Sequence, residues 1–230
     1  MKVGIIGGIG PEATTHYYIS IIKQFQDAVG SDKVLPEMVI ESINMYHMFE
    51  MLEQRQYDDV AEYLAHAACN LQKAGADFGV MCGNTPHIVF ETIQGKTDLP
   101  LLSMVQCSLD VASAMGLKRL ALLGTKFTMQ NDFFKRPFEM AGISIYTPSP
   151  VEQETIHQKI VDELENGIVT PDTKSTLLTI INGMIKEHGL DGVILGCTEL
   201  PLILNQRDFS IEVLDIAKEH INAIVKKLSC

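Results

Sequence analysis

Apolar positions along the 230-residue chain fall into two alternating patterns. Short, nearly continuous apolar runs read as strands buried on both faces: Lys2–Gly7, Val34–Ile43, Asp77–Cys82, Leu99–Met104, Lys118–Gly124 and Gly192–Leu195. Between them lie stretches with a helical period. The first runs from Pro11, well placed in a first turn, to about Ala28. Tyr57–Ala74 puts Val60, Leu64, Ala67, Ala68 and Leu71 on one face, and Gly75 closes it. Further helices are predicted from about Pro86 and over about Leu214–Leu228. Such β-α alternation implies an α/β protein whose parallel sheets are flanked by helices.

The pattern restarts halfway. Lys118–Gly124 matches Lys2–Gly8 in character, Gly79–Thr85 matches Gly192–Thr198, and Asp98–Ser103 matches Asp208–Val213. The landmark pairs Gly8/Gly124, Gly83/Gly196 and Asp98/Asp208 stand 116, 113 and 110 residues apart. Three matches in order at nearly one offset argue for an internal duplication. The expected architecture is two pseudosymmetric domains, residues 1–103 plus 211–230 and residues 104–210. Ligands of open parallel sheets bind beyond the strands' carboxyl ends, so the active site is expected in the interdomain cleft.

Composition narrows the function. A net charge of −11 argues against sequence-independent nucleic-acid binding, and no apolar run is long enough for a membrane span. The start of the chain, Met1–Gly8, reads as a strand rather than a signal-peptide core. Five scattered cysteines (69, 82, 107, 197 and 230) then point to reduced thiols in the cytoplasm. His66 and Cys69 share a predicted helix but lack a second ligand pair, so no metal site is expected.

The candidate chemistry sits at strand ends. In Gly192–Pro201, Cys197 falls on the turn after a strand, and Thr198 and Glu199 read as opening a short helix. The positive end of that helix would lower the thiol's pKa. Alone, Cys197 would read as a small buried cysteine; its duplicated position favours a functional role. Gly7–Ala13 fits the G-x-G-x-x-A dinucleotide pattern, but Pro11 removes a donor and no acidic residue stands at the end of the second strand at the expected distance. A loop letting a small carboxylate approach the backbone near Gly10 fits better. Asn84, Thr85 and Thr198 supply neutral donors suited to a carboxylate, although each alone would read as a helix cap. His87 follows them, either tuning a neighbour or simply packing.

Three motifs in order, Gly7-Gly8-Ile9-Gly10-Pro11-Glu12-Ala13-Thr14, Asn84-Thr85-Pro86-His87 and Gly196-Cys197-Thr198-Glu199, give the chain a resemblance to the aspartate/glutamate racemase superfamily over essentially its whole length. The resemblance implies two α/β domains, a homodimer, and racemisation of a small-molecule amino acid with neither pyridoxal phosphate nor metal. It implies two cysteines flanking the substrate Cα, one removing the proton and the other returning it. It also implies substrate contacts at Gly10, Leu52, Asn84, Thr85, Thr198 and Glu199.

Here the chain departs from the family pattern. Gly83 stands where the first catalytic cysteine belongs, with Cys82 one position earlier. Adjacent strand residues point to opposite faces, so Cys82 is expected to be a buried structural thiol rather than a catalytic one. The side-chain pocket expected from Met48–Arg55 and Val161–Glu165 is acidic and apolar, with Arg55 the one cation in those two stretches able to reach a distal carboxylate. The leading reading is a cofactor-independent racemase or epimerase with Cys197 as acid/base. Its partner would be Cys82, a water or a polar side chain. The alternatives are a decarboxylase-like lyase using one cysteine, which the pairing of Gly83 with Cys197 resembles, and a catalytically silent amino-acid-binding protein.

Overall fold

The computed structural model describes residues 1–229; Cys230, counted above among the thiols, lies outside the described residues. The chain forms two compact units, Met1–Cys107 together with the chain from Ala217 on, and Ser108–Ile216. Each holds a four-stranded parallel sheet flanked by helices.

In the first unit, β1 (Lys2–Gly7), β2 (Glu37–Ser42), β3 (Phe78–Met81) and β4 (Leu101–Leu102) lie in the order β2-β1-β3-β4. The central strands β1 and β3 are buried on both faces apart from Lys2, as their continuous apolar runs predict. Helix α1 (Pro11–Val29) buries Ala13, Tyr17, Ile21 and Phe25, one residue every fourth position. Helices α2 (Met45–Glu53), α3 (Tyr57–Lys73) and α4 (Phe90–Gln94) help build a core that includes Met48, Leu52, Leu64, Leu71 and Ile93. The second unit repeats the plan. Strands β5 (Arg119–Leu123), β6 (Ser144–Tyr146), β7 (Gly192–Leu195) and β8 (Glu212–Asp215) lie in the order β6-β5-β7-β8. Its helices are α5 (Met104–Ala114), α6 (Lys126–Gln130), α7 (Asp132–Met140), α8 (Pro150–Gln158) and α9 (Pro171–His188), the first turn of α5 belonging to the first unit. The last helix, α10 (Ile216–Leu228), belongs from Ala217 on to the first unit.

Several boundaries differ from the sequence reading. The second strand starts at Glu37 instead of Val34, because Pro36 has no N–H for a ladder and pairing begins at Lys2↔Glu37. Residues 211–215 belong with the second unit rather than the first, because β8 pairs with β7 from Gly192↔Glu212 to Leu195↔Asp215. Two aspartates just before β3 and β7 play matching parts in the two units. Asp77 accepts from the Lys2 N–H at 2.7 Å, and Asp191 accepts from those of Lys118 and Arg119 at 2.8 and 3.0 Å. Each fastens the start of its central strand pair in the same way.

In both sheets the strand order reverses between the two central strands. That reversal is the topological switch point, where open parallel sheets bind ligands at their carboxyl ends. The residues there are Gly7-Gly8 and Cys82-Gly83-Asn84 in one unit, and Gly124 and Gly196-Cys197-Thr198 in the other.

Candidate active site

Cys197 follows β7 directly and is 8 % exposed. No α-helix opens beyond it. Pro201 lacks the N–H that would bond back to the Cys197 carbonyl, so the Leu200 N–H takes that carbonyl, at 3.3 Å, and a single 3₁₀ turn covers Leu200–Leu202. The expected helix dipole is therefore missing, and the expected lowering of the thiol's pKa is overturned. Cys197 Sγ instead donates to Glu199 Oε2 at 2.7 Å, while the Thr198 hydroxyl donates to the other oxygen, Oε1, at 2.6 Å. Burial, then the Glu199 charge and hydrogen bond, push the Cys197 thiol well above its ordinary value. The Glu199 backbone N–H opposes this, and the charge of Glu165 adds to it. Partial burial followed by the Glu199 charge raises the Glu165 carboxyl as well. Cys197 therefore rests as a thiol whose proton faces the Glu199 side chain.

In the first unit, Cys82 is fully buried directly after β3. Its sulfur lies 3.2 Å from the Thr14 hydroxyl and 3.4 Å from the Ile6 carbonyl. Burial raises its pKa, opposed by the Thr14 hydrogen bond. Thr14 ties the glycine loop together, accepting from the Gly8 N–H at 2.8 Å and donating to the Gly10 carbonyl at 2.9 Å. Gly8 has φ +78°, and a β-carbon there would run into the Ile43 carbonyl, so only glycine fits. Sequence reasoning gives Thr14 no role; the signal for one is its position four residues after Gly10, where a threonine hydroxyl reaches back to a helix carbonyl.

Gly83 is the more informative position. A β-carbon there would sit 2.7 Å from Ile9 Cγ2 and 2.9 Å from the Ile9 carbonyl oxygen. The direction a side chain would take is filled by the glycine loop, so a side chain at residue 83 would force Ile9 to shift. Asn84 and His87 are buried and Thr85 is partly exposed. The buried ring of His87 lies against the Gly83-Asn84 turn, with Nδ1 at 3.1 Å from the Gly83 carbonyl and 3.2 Å from that of Asn84.

Leu52, expected at the substrate, is buried with Met48 and Met51 in the core of the first unit, on α2. Arg55 is exposed at φ +58° just past that helix. Among the described residues, no group of three or more His, Cys, Asp or Glu could hold a metal, and no helix is long and apolar enough to cross a membrane.

Comparison with known proteins places this arrangement. The chain is 26% identical over 223 residues to the broad specificity amino-acid racemase RacX of Bacillus subtilis (strain 168), covering 93% of this chain and 92% of that one. Among solved structures it resembles an aspartate racemase homologue from Pyrococcus horikoshii OT3, at TM-score 0.88 and 34% identity over 100% of this chain and 99% of that one. It also resembles a proposed Asp/Glu racemase from Yersinia pestis, at TM-score 0.93 and 29% identity over 99% and 98% of the two chains. The sequence profile described as Asp/Glu/hydantoin racemase matches residues 6–224, nearly the whole chain, and the protein belongs to that family.

Proposed function

We propose that the chain is a cofactor-independent amino-acid racemase or epimerase in which Cys197 exchanges the proton at the substrate Cα. The observation carrying this reading is the 2.7 Å contact between the Cys197 thiol and the Glu199 carboxylate at the carboxyl end of β7. As a thiol, Cys197 protonates one face of a Cα carbanion. To remove a proton it must first lose its own, and Glu199 is placed to take it. Sequence reading assigned Glu199 to substrate binding; here it becomes the proton partner of the thiol. Asn84, Thr85 and Thr198 hold the α-carboxylate, whose fixed position spreads the carbanion's charge. In this reading side chains supply all proton transfers, so no cofactor is called for, and two copies of the chain associate.

Inversion also needs an acid/base group on the opposite face of Cα. Gly83 has no side chain to serve there, leaving a water, a polar group or Cys82 acting through Thr14. The same observation favours a second reading, a one-thiol lyase. A substituted malonate would lose carbon dioxide, and the electron pair left on carbon would take the Cys197 proton on one face only. Incubating each amino-acid enantiomer in D2O, with the Cα–H signal followed by NMR and rotation by circular dichroism, separates the two. Loss of both signal and rotation supports the racemase. No exchange with any amino acid, together with carbon dioxide release from substituted malonates, would sink it.

A further inference from the structure

His87 is a buried imidazole that the proposed chemistry does not use, and every polar atom of its ring is engaged. Nδ1 faces two carbonyl oxygens, Gly83 O at 3.1 Å and Asn84 O at 3.2 Å. Carbonyls only accept, so Nδ1 must carry the hydrogen. On the other side Nε2 accepts from the Met104 N–H at 3.1 Å, so Nε2 must carry a lone pair. The partners themselves therefore fix the neutral Nδ1–H tautomer. Phe90 stacks on the ring at 5.5 Å and 7°, which sets its plane.

This clamp also determines which way the turn's peptide groups face. In a trans peptide the C=O and the following N–H point in opposite directions. With the Gly83 and Asn84 carbonyls drawn towards the His87 ring, the Asn84 and Thr85 N–H groups are turned away from it. We infer that His87 is a positioning residue of the reaction: its Nδ1–H bond to the Gly83 and Asn84 carbonyls sets the turn so that Asn84 and Thr85 can hold the substrate carboxylate. The inference rests on the racemase reading, which assigns Asn84 and Thr85 to that carboxylate. The far end of the ring anchors the clamp to Met104, the first residue of α5.

Two variants divide the ring's functions. Asparagine places an amide donor near the Nδ1 position, and glutamine places a carbonyl acceptor near Nε2. His87→Asn keeps the bond to the turn and loses the one to Met104; His87→Gln does the reverse. The expected result is a fall of at least about tenfold in kcat/KM for His87→Gln, borne mostly by KM. For His87→Asn the expected fall is within about threefold, even though its melting temperature drops as much. A role confined to packing would lower both stabilities and leave both KM values alone, and that outcome overturns the inference, as does an equal rise of KM in the two variants. If His87→Gln does not fold, a long-range proton–nitrogen NMR spectrum of the wild-type protein decides: an Nε2–H tautomer or an imidazolium at pH 7 refutes the clamp. Wild-type exchange at Cα is measured first. Its absence refutes the racemase reading, and this inference with it; its presence leaves the variants as a test of His87 alone.

Discussion

Acidification gives a sharp test of how the first unit is held together. His87 and His220 are both buried, and burial pushes their pKa values down to about 4 and about 3 from 6.5. His220 Nε2 lies 3.0 Å from the Leu102 carbonyl and must donate to it, which leaves Nδ1 to accept from the Tyr17 hydroxyl at 3.0 Å. A second proton on His87 would face the Met104 N–H, which can only donate, and a second proton on His220 is opposed by its burial. Between pH 6.5 and about 4 the unfolded chain therefore binds up to two more protons than the folded one, so stability falls as pH falls through that window. Each histidine contributes a slope of about 1.4 kcal/mol per pH unit. From pH 7 to 5 the loss is about 2 kcal/mol per ring and about 4 kcal/mol for the pair, a large share of the ~5–15 kcal/mol typical of a domain. The measurement stops above both folded values, so the mutual repulsion of two charged rings does not enter. The carboxyls held low by lysines (Glu62, Glu154, Glu163 and Asp208) act in the same direction, but mainly below this window. The assay is urea unfolding at pH 7, 6 and 5, followed by far-ultraviolet circular dichroism because the chain has no tryptophan. If the two units unfold separately, the pH dependence belongs to one transition only. His220→Phe should cost about 1–3 kcal/mol at pH 7 through the orphaned Leu102 carbonyl, and should halve the slope. A wild-type slope below about 1 kcal/mol per pH unit, or an unchanged slope in the variant, would refute the reasoning.

Two further predictions concern the strand ends. Installing the missing thiol with Gly83→Cys should not create a second acid/base group. The new β-carbon meets the Ile9 side chain and carbonyl, so urea unfolding should show a loss of about 1–3 kcal/mol, with no gain in the rate of racemisation. A faster enzyme of unchanged stability would show that the glycine loop yields readily. Glu199→Gln removes the negative charge beside Cys197 and should lower the thiol's pKa, moving the pH profile of alkylation at Cys197 to lower pH. A profile that stays put or moves upward would mean that burial alone sets the thiol.

The sequence carried the fold well where hydrophobic period and punctuation agree. The apolar runs at β1, β3, β5 and β7, Pro11 at the start of α1 and Gly75 after α3 are local signals, and the duplicated offset reported the two-unit plan. Cys197 and Glu199 were also legible as strand-end candidates, each with a separate expected role. The relation between them was not, because it turns on a single proline. Pro201 changes an expected helix start into a 3₁₀ turn and replaces a stabilising dipole with a destabilising carboxylate. Gly83 was legible as a departure from the family, but the direction its side chain would take was not. That direction depends on Ile9, more than seventy residues away in sequence. His220 gave no local signal, since its partners Tyr17 and Leu102 come from distant elements.

The central claim is that Cys197 moves the proton at Cα. The direct measurement is the initial rate of Cα–H to Cα–D exchange in D2O for wild type and Cys197→Ser, with folding confirmed by circular dichroism. Removing a positioned acid/base group should cost about 10²–10⁴ in that rate, for both enantiomers of whichever amino acid the wild type exchanges. Exchange that persists in Cys197→Ser within a few-fold of wild type would contradict the account.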